Sequence, residues 1–150
     1  HMDPEHPVPG IGDHALLSDV TPDLIDAMVE AAGHRSGSPL TVVELRHLGG
    51  ALSRAATGAG ARSRIDAPYV YFAVGVPMTE ELGAAISARL AHLRDVLAPW
   101  TADGAYLNFA EEPTDVSTAF EDDIFRALQA VKAKYDSRDT IHANHEVKSS

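Results

Sequence analysis

The segment Thr79 to Pro99 constrains this chain most, because both ends of a helix are written into it. Thr79 can cap the first free amides, and Glu80 and Glu81 stand where the dipole is positive. Leu82, Ile86, Leu90, Leu93 and Leu97 then recur in steps of four, four, three and four, which is helical and not β spacing. Pro99 stops the helix, since proline lacks the amide that the next turn requires. A helix with one apolar stripe needs a second layer to bury it.

The flanking segments supply that layer. Tyr69 to Val76 is an aromatic and β-branched run closed by Pro77, and Leu40 to Leu48 is a second β-rich run. In the latter, alternation places Val43, Leu45 and His47 on one side and Val42, Glu44 and Arg46 on the other. His14 to Val20 reads as a strand, and Ala105 to Ala110 as a short one. Thr21-Pro22 opens another helix, with Leu24, Ile25, Met28, Val29 and Ala32 on one face and Gly33 to stop it. Ser117 to Tyr135 repeats helical spacing through Phe120, Ile124, Leu128, Val131 and Tyr135, with Lys132 and Lys134 near its negative end. Between them, Ala55 to Ala67 reads as an exposed, glycine-rich basic loop.

This order predicts an α+β fold, an antiparallel or mixed β-sheet with helices on one face. The expected arrangement is a ferredoxin-like β-α-β-β-α-β unit with an added C-terminal helix. At 150 residues, one core is the expectation. The division read from the sequence is a tag scar and linker over 1–12, a single domain over 13–147 and a tail over 148–150.

Charge and residue usage narrow the function classes. A net charge of -10 works against a phosphate backbone, whose affinity comes from Lys and Arg, so nucleic acid is not an expected partner. The absence of cysteine excludes disulfides, thiolate metal sites and a Cys nucleophile, and fits a cytoplasmic protein. No apolar run reaches the roughly 20 residues needed to span a bilayer, so no membrane partner is expected. Gly-X-Ser-X-Gly and phosphate-loop motifs are missing. His142, His145 and Glu146 are loosely spaced, so no metal site is expected, and Glu44 and His47 fall on opposite strand faces, which keeps them from acting as an acid/base pair.

Four stretches carry a family resemblance: Leu45-Arg46-His47-Leu48-Gly49-Gly50-Ala51, Gly104-Ala105-Tyr106-Leu107-Asn108-Phe109, Arg126 through Asp136, and Asn144-His145. Through them, the run from His14 to Val147 resembles the C-terminal part of the berberine bridge enzyme-like FAD-linked oxidoreductases, half of the substrate domain followed by a berberine-like tail. The chain departs from that pattern at Phe120-Glu121, where Tyr-Gly is usual, and at Asp136-Ser137, where Asp-Pro is usual. Gly60-Ala61-Arg62-Ser63-Arg64 stands in place of a Phe-X-His-Arg-like stretch.

The resemblance implies that Tyr106 is a catalytic proton acceptor or substrate contact, and that Asn108 and Asn144 are cofactor-binding. On a strand, Tyr106 and Asn108 would share a face and Leu107 and Phe109 the other. It further implies a small-molecule substrate, FAD as the cofactor of the full-length protein, and a separate FAD-binding domain without which this chain alone is not expected to hold FAD. Two other readings stay open at this level: a stand-alone flavin-free small-molecule binding or homo-oligomeric assembly module, and a flavin-free isomerase or cyclase using Tyr106.

Overall fold

Apolar alternation and helical capping assemble as an α+β structure in the computed structural model, which describes residues 7–148. Its regular elements are β1 (Ile11–Leu17), α1 (Pro22–Ala32), β2 (Val42–His47), β3 (Tyr69–Gly75), α2 (Glu80–Leu97) and α3 (Asp122–Tyr135). Short 3-10 turns occupy Ala98–Trp100, Leu107–Phe109 and Val116–Ala119.

The strands form an antiparallel sheet in the order β1-β3-β2. β3 is central, which suits its composition: Val70, Tyr71 and Ala73 are fully buried, as a strand covered on both faces requires. Its register pairs His14 with Phe72 on one side and Glu44 with Phe72 on the other. Direct partners in an antiparallel ladder share a face. One face therefore carries Asp13, Ala15 and Leu17 with Tyr71, Ala73, Val43 and Leu45, and the other carries His14 and Leu16 with Val70, Phe72, Val74, Val42, Glu44 and Arg46.

Helices α1 and α2 cover the first face. Leu24, Met28 and Ala31 of α1 and Ile86, Leu90, Leu93 and Leu97 of α2 join Leu17, Tyr71 and Ala73 in the main core. Both caps anticipated in the sequence are made: Thr21 Oγ1 accepts from the Leu24 amide and Thr79 Oγ1 from the Leu82 amide, each at 3.2 Å. Thr79→Ala should therefore cost about 1 kcal/mol, read as a lower urea midpoint with an unchanged slope. Gly75 lets α2 close on the sheet, because a Cβ there would lie 2.7 Å from the Ile86 side chain. A charged cluster seals this core at one end: the Tyr71 hydroxyl donates to Asp13 at 2.8 Å, and Arg94 pairs with the same carboxylate at 2.9 Å. Burial, and then the neighbouring Asp13 charge, push the Tyr71 phenol far above its ordinary range.

Several expectations need correction. The first strand begins at Ile11, inside the stretch read as linker, and ends at Leu17, because the ladder with β3 runs from Ile11 opposite Gly75 to Leu17 opposite Tyr69; residues 1–6 of the proposed scar and linker lie outside the described residues, as do 149 and 150 of the proposed tail. Ala105 to Ala110 is not a strand. Only Thr101 and Ala102 run beside β1, through a bridge from Leu17 to Thr101 and a 2.8 Å bond from the Ala102 amide to the Leu16 carbonyl. Gly104 then turns the chain at φ 98, and the aromatic segment closes into the turn Leu107–Phe109. The sheet thus has three strands among the described residues, without the fourth that a ferredoxin-like unit needs.

The last helix starts at Asp122 rather than Ser117. Asp115 caps the turn Val116–Ala119 instead, and Phe120 and Glu121 are extended. None of the α3 side chains is fully buried, and Val131 and Tyr135 of its apolar stripe are exposed. The loop after β2 is also less exposed than its composition implies: Ile65 and Ala67 are buried in a second cluster with Leu16, Leu48 and Val70. No helix among the described residues is long and apolar enough to cross a membrane.

Candidate functional site

The sheet face turned away from α1 and α2 is where the polar and aromatic side chains gather. His14, Phe72 and Glu44 form one row across it, and the segment Tyr106 to Phe109 lies over that row. The Phe109 ring packs on Phe72 with centroids 4.7 Å apart, and the Arg46 guanidinium sits 4.7 Å over the same ring. Arg46 also forms an ion pair with Glu44 at 2.7 Å, both side chains being partly exposed. An ion pair this open to solvent contributes at most about 1 kcal/mol, so its main effect is to hold Arg46 against the aromatic surface.

The 3-10 turn changes which residues share a side. With three residues per turn, positions i and i+3 are stacked, and Tyr106 and Phe109 meet edge to face with centroids 5.0 Å apart. Tyr106 is half-buried and Asn108 exposed, so the common face expected for Tyr106 and Asn108 on a strand is not formed. The Tyr106 hydroxyl has no hydrogen-bond partner among the described residues, while its ring is held by Phe109.

His14 fixes the turn from below. The Tyr106 amide donates to His14 Nε2 at 3.3 Å, which requires that nitrogen to carry no proton. Burial lowers the pKa of His14 from its ordinary 6.5, a neighbouring Asp13 charge and the Phe109 backbone oppose that, and His145 and Arg94 add to it. The sign follows: the unfolded chain takes up protons below about pH 6.5 before the folded chain does, so folded stability falls as pH drops from 6.5 toward the lowered value. Thermal melts between pH 7.5 and pH 5 should show this loss, and His14→Gln should flatten the profile in that window.

The C-terminal stretch returns to the same face. Asp136 is buried at the end of α3, where Lys132, the Thr140 amide and hydroxyl and the Ile141 amide all converge on its carboxylate. The Lys132 contact first, then the Thr140 bonds, hold that carboxyl well below its usual range. The chain is thereby turned back, and His145 Nε2 donates to the Ala110 carbonyl at 3.0 Å. That leaves His145 Nδ1 shielded and without a partner. Asn144, itself exposed, and His145 line a recess of about 1000 Å³ with Val42, Val74, Ala110 and Glu111.

Of the residues singled out by sequence, the structure thus brings Tyr106 onto the outer sheet face and Asn144 to the rim of the recess beyond it, while Asn108 projects to solvent. Sequence reasoning missed His14, Arg46 and Arg62. None left a distinctive signal: even His14 stands in β1 beside a second polar residue, Asp13. Comparison with known proteins finds no matching family model and no matching curated protein.

Proposed function

We propose that this chain forms the substrate-side wall of a FAD-linked oxidoreductase of the berberine bridge enzyme-like kind, with the flavin held by a separate FAD-binding domain. One observation carries the reading. Three of the four sequence stretches that bear the resemblance meet on the sheet face that α1 and α2 leave free: Arg46 with Leu48, Tyr106 with Phe109, and Asn144 with His145. The fourth, the end of α3, routes the tail there through Asp136.

The donor set suits the ring side of a flavin and not its phosphates. The exposed amide of Asn144, on the rim of the recess, can both donate and accept. Gly10-Ile11-Gly12 lies in and before an extended strand, so it cannot act as the strand-to-helix turn that cradles a pyrophosphate. A bound flavin would supply hydride acceptance. Tyr106, with a free hydroxyl on a fixed ring, would take or relay the substrate proton.

The test is Tyr106→Phe in the oxidase assembled with its FAD-binding domain. Turnover should fall while the packing on Phe109 survives; an unchanged rate contradicts the role given to Tyr106.

A second reading, a flavin-free homo-oligomeric binding module, draws on one other observation. Ile25 and Val29 of α1 leave apolar surface exposed beside Val43 and Leu45 of the edge strand β2. Such surface is covered in an assembly. Light scattering showing a monomer at high concentration would remove this reading.

A further inference from the structure

The loop that follows β2 places a cation where the chain has no obvious use for one. Arg62 is half-buried, although the protein as a whole carries a net charge of -10. Its neighbour Arg64 is neutralised by Asp66 at 2.7 Å, but Arg62 makes no ion pair among the described residues. One guanidinium nitrogen, Nη1, donates to the Ala105 carbonyl at 2.5 Å, which anchors the side chain across 43 residues of sequence and beside Tyr106. Nη2 and Nε have no acceptor among the described residues. Partial burial depresses the basicity of the guanidinium, with Tyr106 and Asp66 opposing it.

The space in front of Arg62 is a cavity of about 540 Å³, within the usual size range for small-ligand sites. Leu16, Ala67, Phe120 and Ile124 give it apolar walls. Its lining also carries Asp103, Glu121 and the Arg64–Asp66 ion pair. A guanidinium edge matches a carboxylate through two parallel hydrogen bonds. The acidic side chains of the lining penalise a doubly charged group such as phosphate more than a singly charged carboxylate, and the apolar walls favour a ligand with a hydrocarbon or aromatic body.

We propose that Arg62 and this cavity form a binding subsite for a small apolar monocarboxylate, held with its carboxylate on Arg62. The proposal deepens the functional reading above by naming a substrate class, and it rests on that reading only in calling the ligand a substrate. Binding is a property of this chain's own residues. Failure of a probe to bind would remove the subsite and leave the role of Tyr106 standing, whereas an unaffected Tyr106→Phe oxidase would leave the subsite standing.

The experiment is a titration of the purified chain, followed by amide NMR shifts, with phenylacetate, with its uncharged analogue phenylacetamide and with inorganic phosphate. Phenylacetate should give saturable shifts at Gly104, Ala105 and Thr118 to Glu121, while phenylacetamide and phosphate should bind at least about tenfold more weakly, the equivalent of losing one charge-assisted hydrogen bond. Arg62→Gln should weaken phenylacetate by a similar factor without moving the shifts of α1 and α2. Equal binding of the amide or of phosphate, no saturable binding of phenylacetate, or full affinity in a folded Arg62→Gln chain would each overturn the proposal. Should Arg62→Gln not fold, the comparison of acid with amide on the unaltered chain decides alone.

Discussion

Leu93→Ala is expected to lower the unfolding free energy by about 2–5 kcal/mol, the range for emptying a fully packed leucine site. Leu93 has no solvent exposure and lies in the core that joins α2 to the central strand. Its neighbours Leu90 and Leu97 are held on the same helix face, so little collapse into the void is available. For a domain whose whole stability is about 5–15 kcal/mol, that loss takes away a large share. Urea denaturation read by circular dichroism measures it directly. A cost under about 1 kcal/mol would mean that α2 does not hold the sheet as described.

Tyr106→Phe is expected to have the opposite profile, with almost no effect on folding and a large one on chemistry. The aromatic contact with Phe109 needs only the ring, and the hydroxyl has no protein partner among the described residues. Stability should therefore change by no more than about 0.5 kcal/mol. Under the proposed function, loss of the Tyr106 hydroxyl as proton acceptor should slow turnover of the assembled enzyme by about 10²–10⁴-fold. Paired measurement of melting and rate separates the two effects. A variant that melts much earlier and slows in proportion would instead assign Tyr106 a structural role.

The helices next to the sheet were legible because their signals are local. Thr21-Pro22 and Thr79 are caps whose partners lie three residues on, and the leucine spacing of α2 specifies its buried face without reference to anything distant. Strands β2 and β3 were legible through alternation and β-branched or aromatic content.

The segment Ala105 to Ala110 misled for a physical reason. Its apolar and polar residues alternate as a strand's would, yet a strand needs a paired edge, and the chain leaves β1 after Ala102. Packing of Tyr106 and Phe109 on Phe72, together with the His14 bond, selects the tighter turn. Tertiary contacts decided a segment whose local preference was weak.

The candidate site was legible only in part for the same reason. Tyr106 and Asn144 were marked by their sequence surroundings, but what acts on them comes from distant segments: His14 from 92 residues upstream, Arg62 from the loop after β2, and the Ala110 carbonyl that holds His145. Spacing in one stretch does not reveal such partners. Asn108 illustrates the reverse case, a residue marked by its surroundings whose side chain the turn directs to solvent.

The most direct test of the central claim, that this chain carries one wall of a flavin site whose other wall lies on a separate domain, is to purify the 150-residue chain and titrate it with FAD. The account predicts a colourless protein with no oxidase activity and no saturable uptake of FAD. A yellow chain that retains stoichiometric flavin on its own would contradict it.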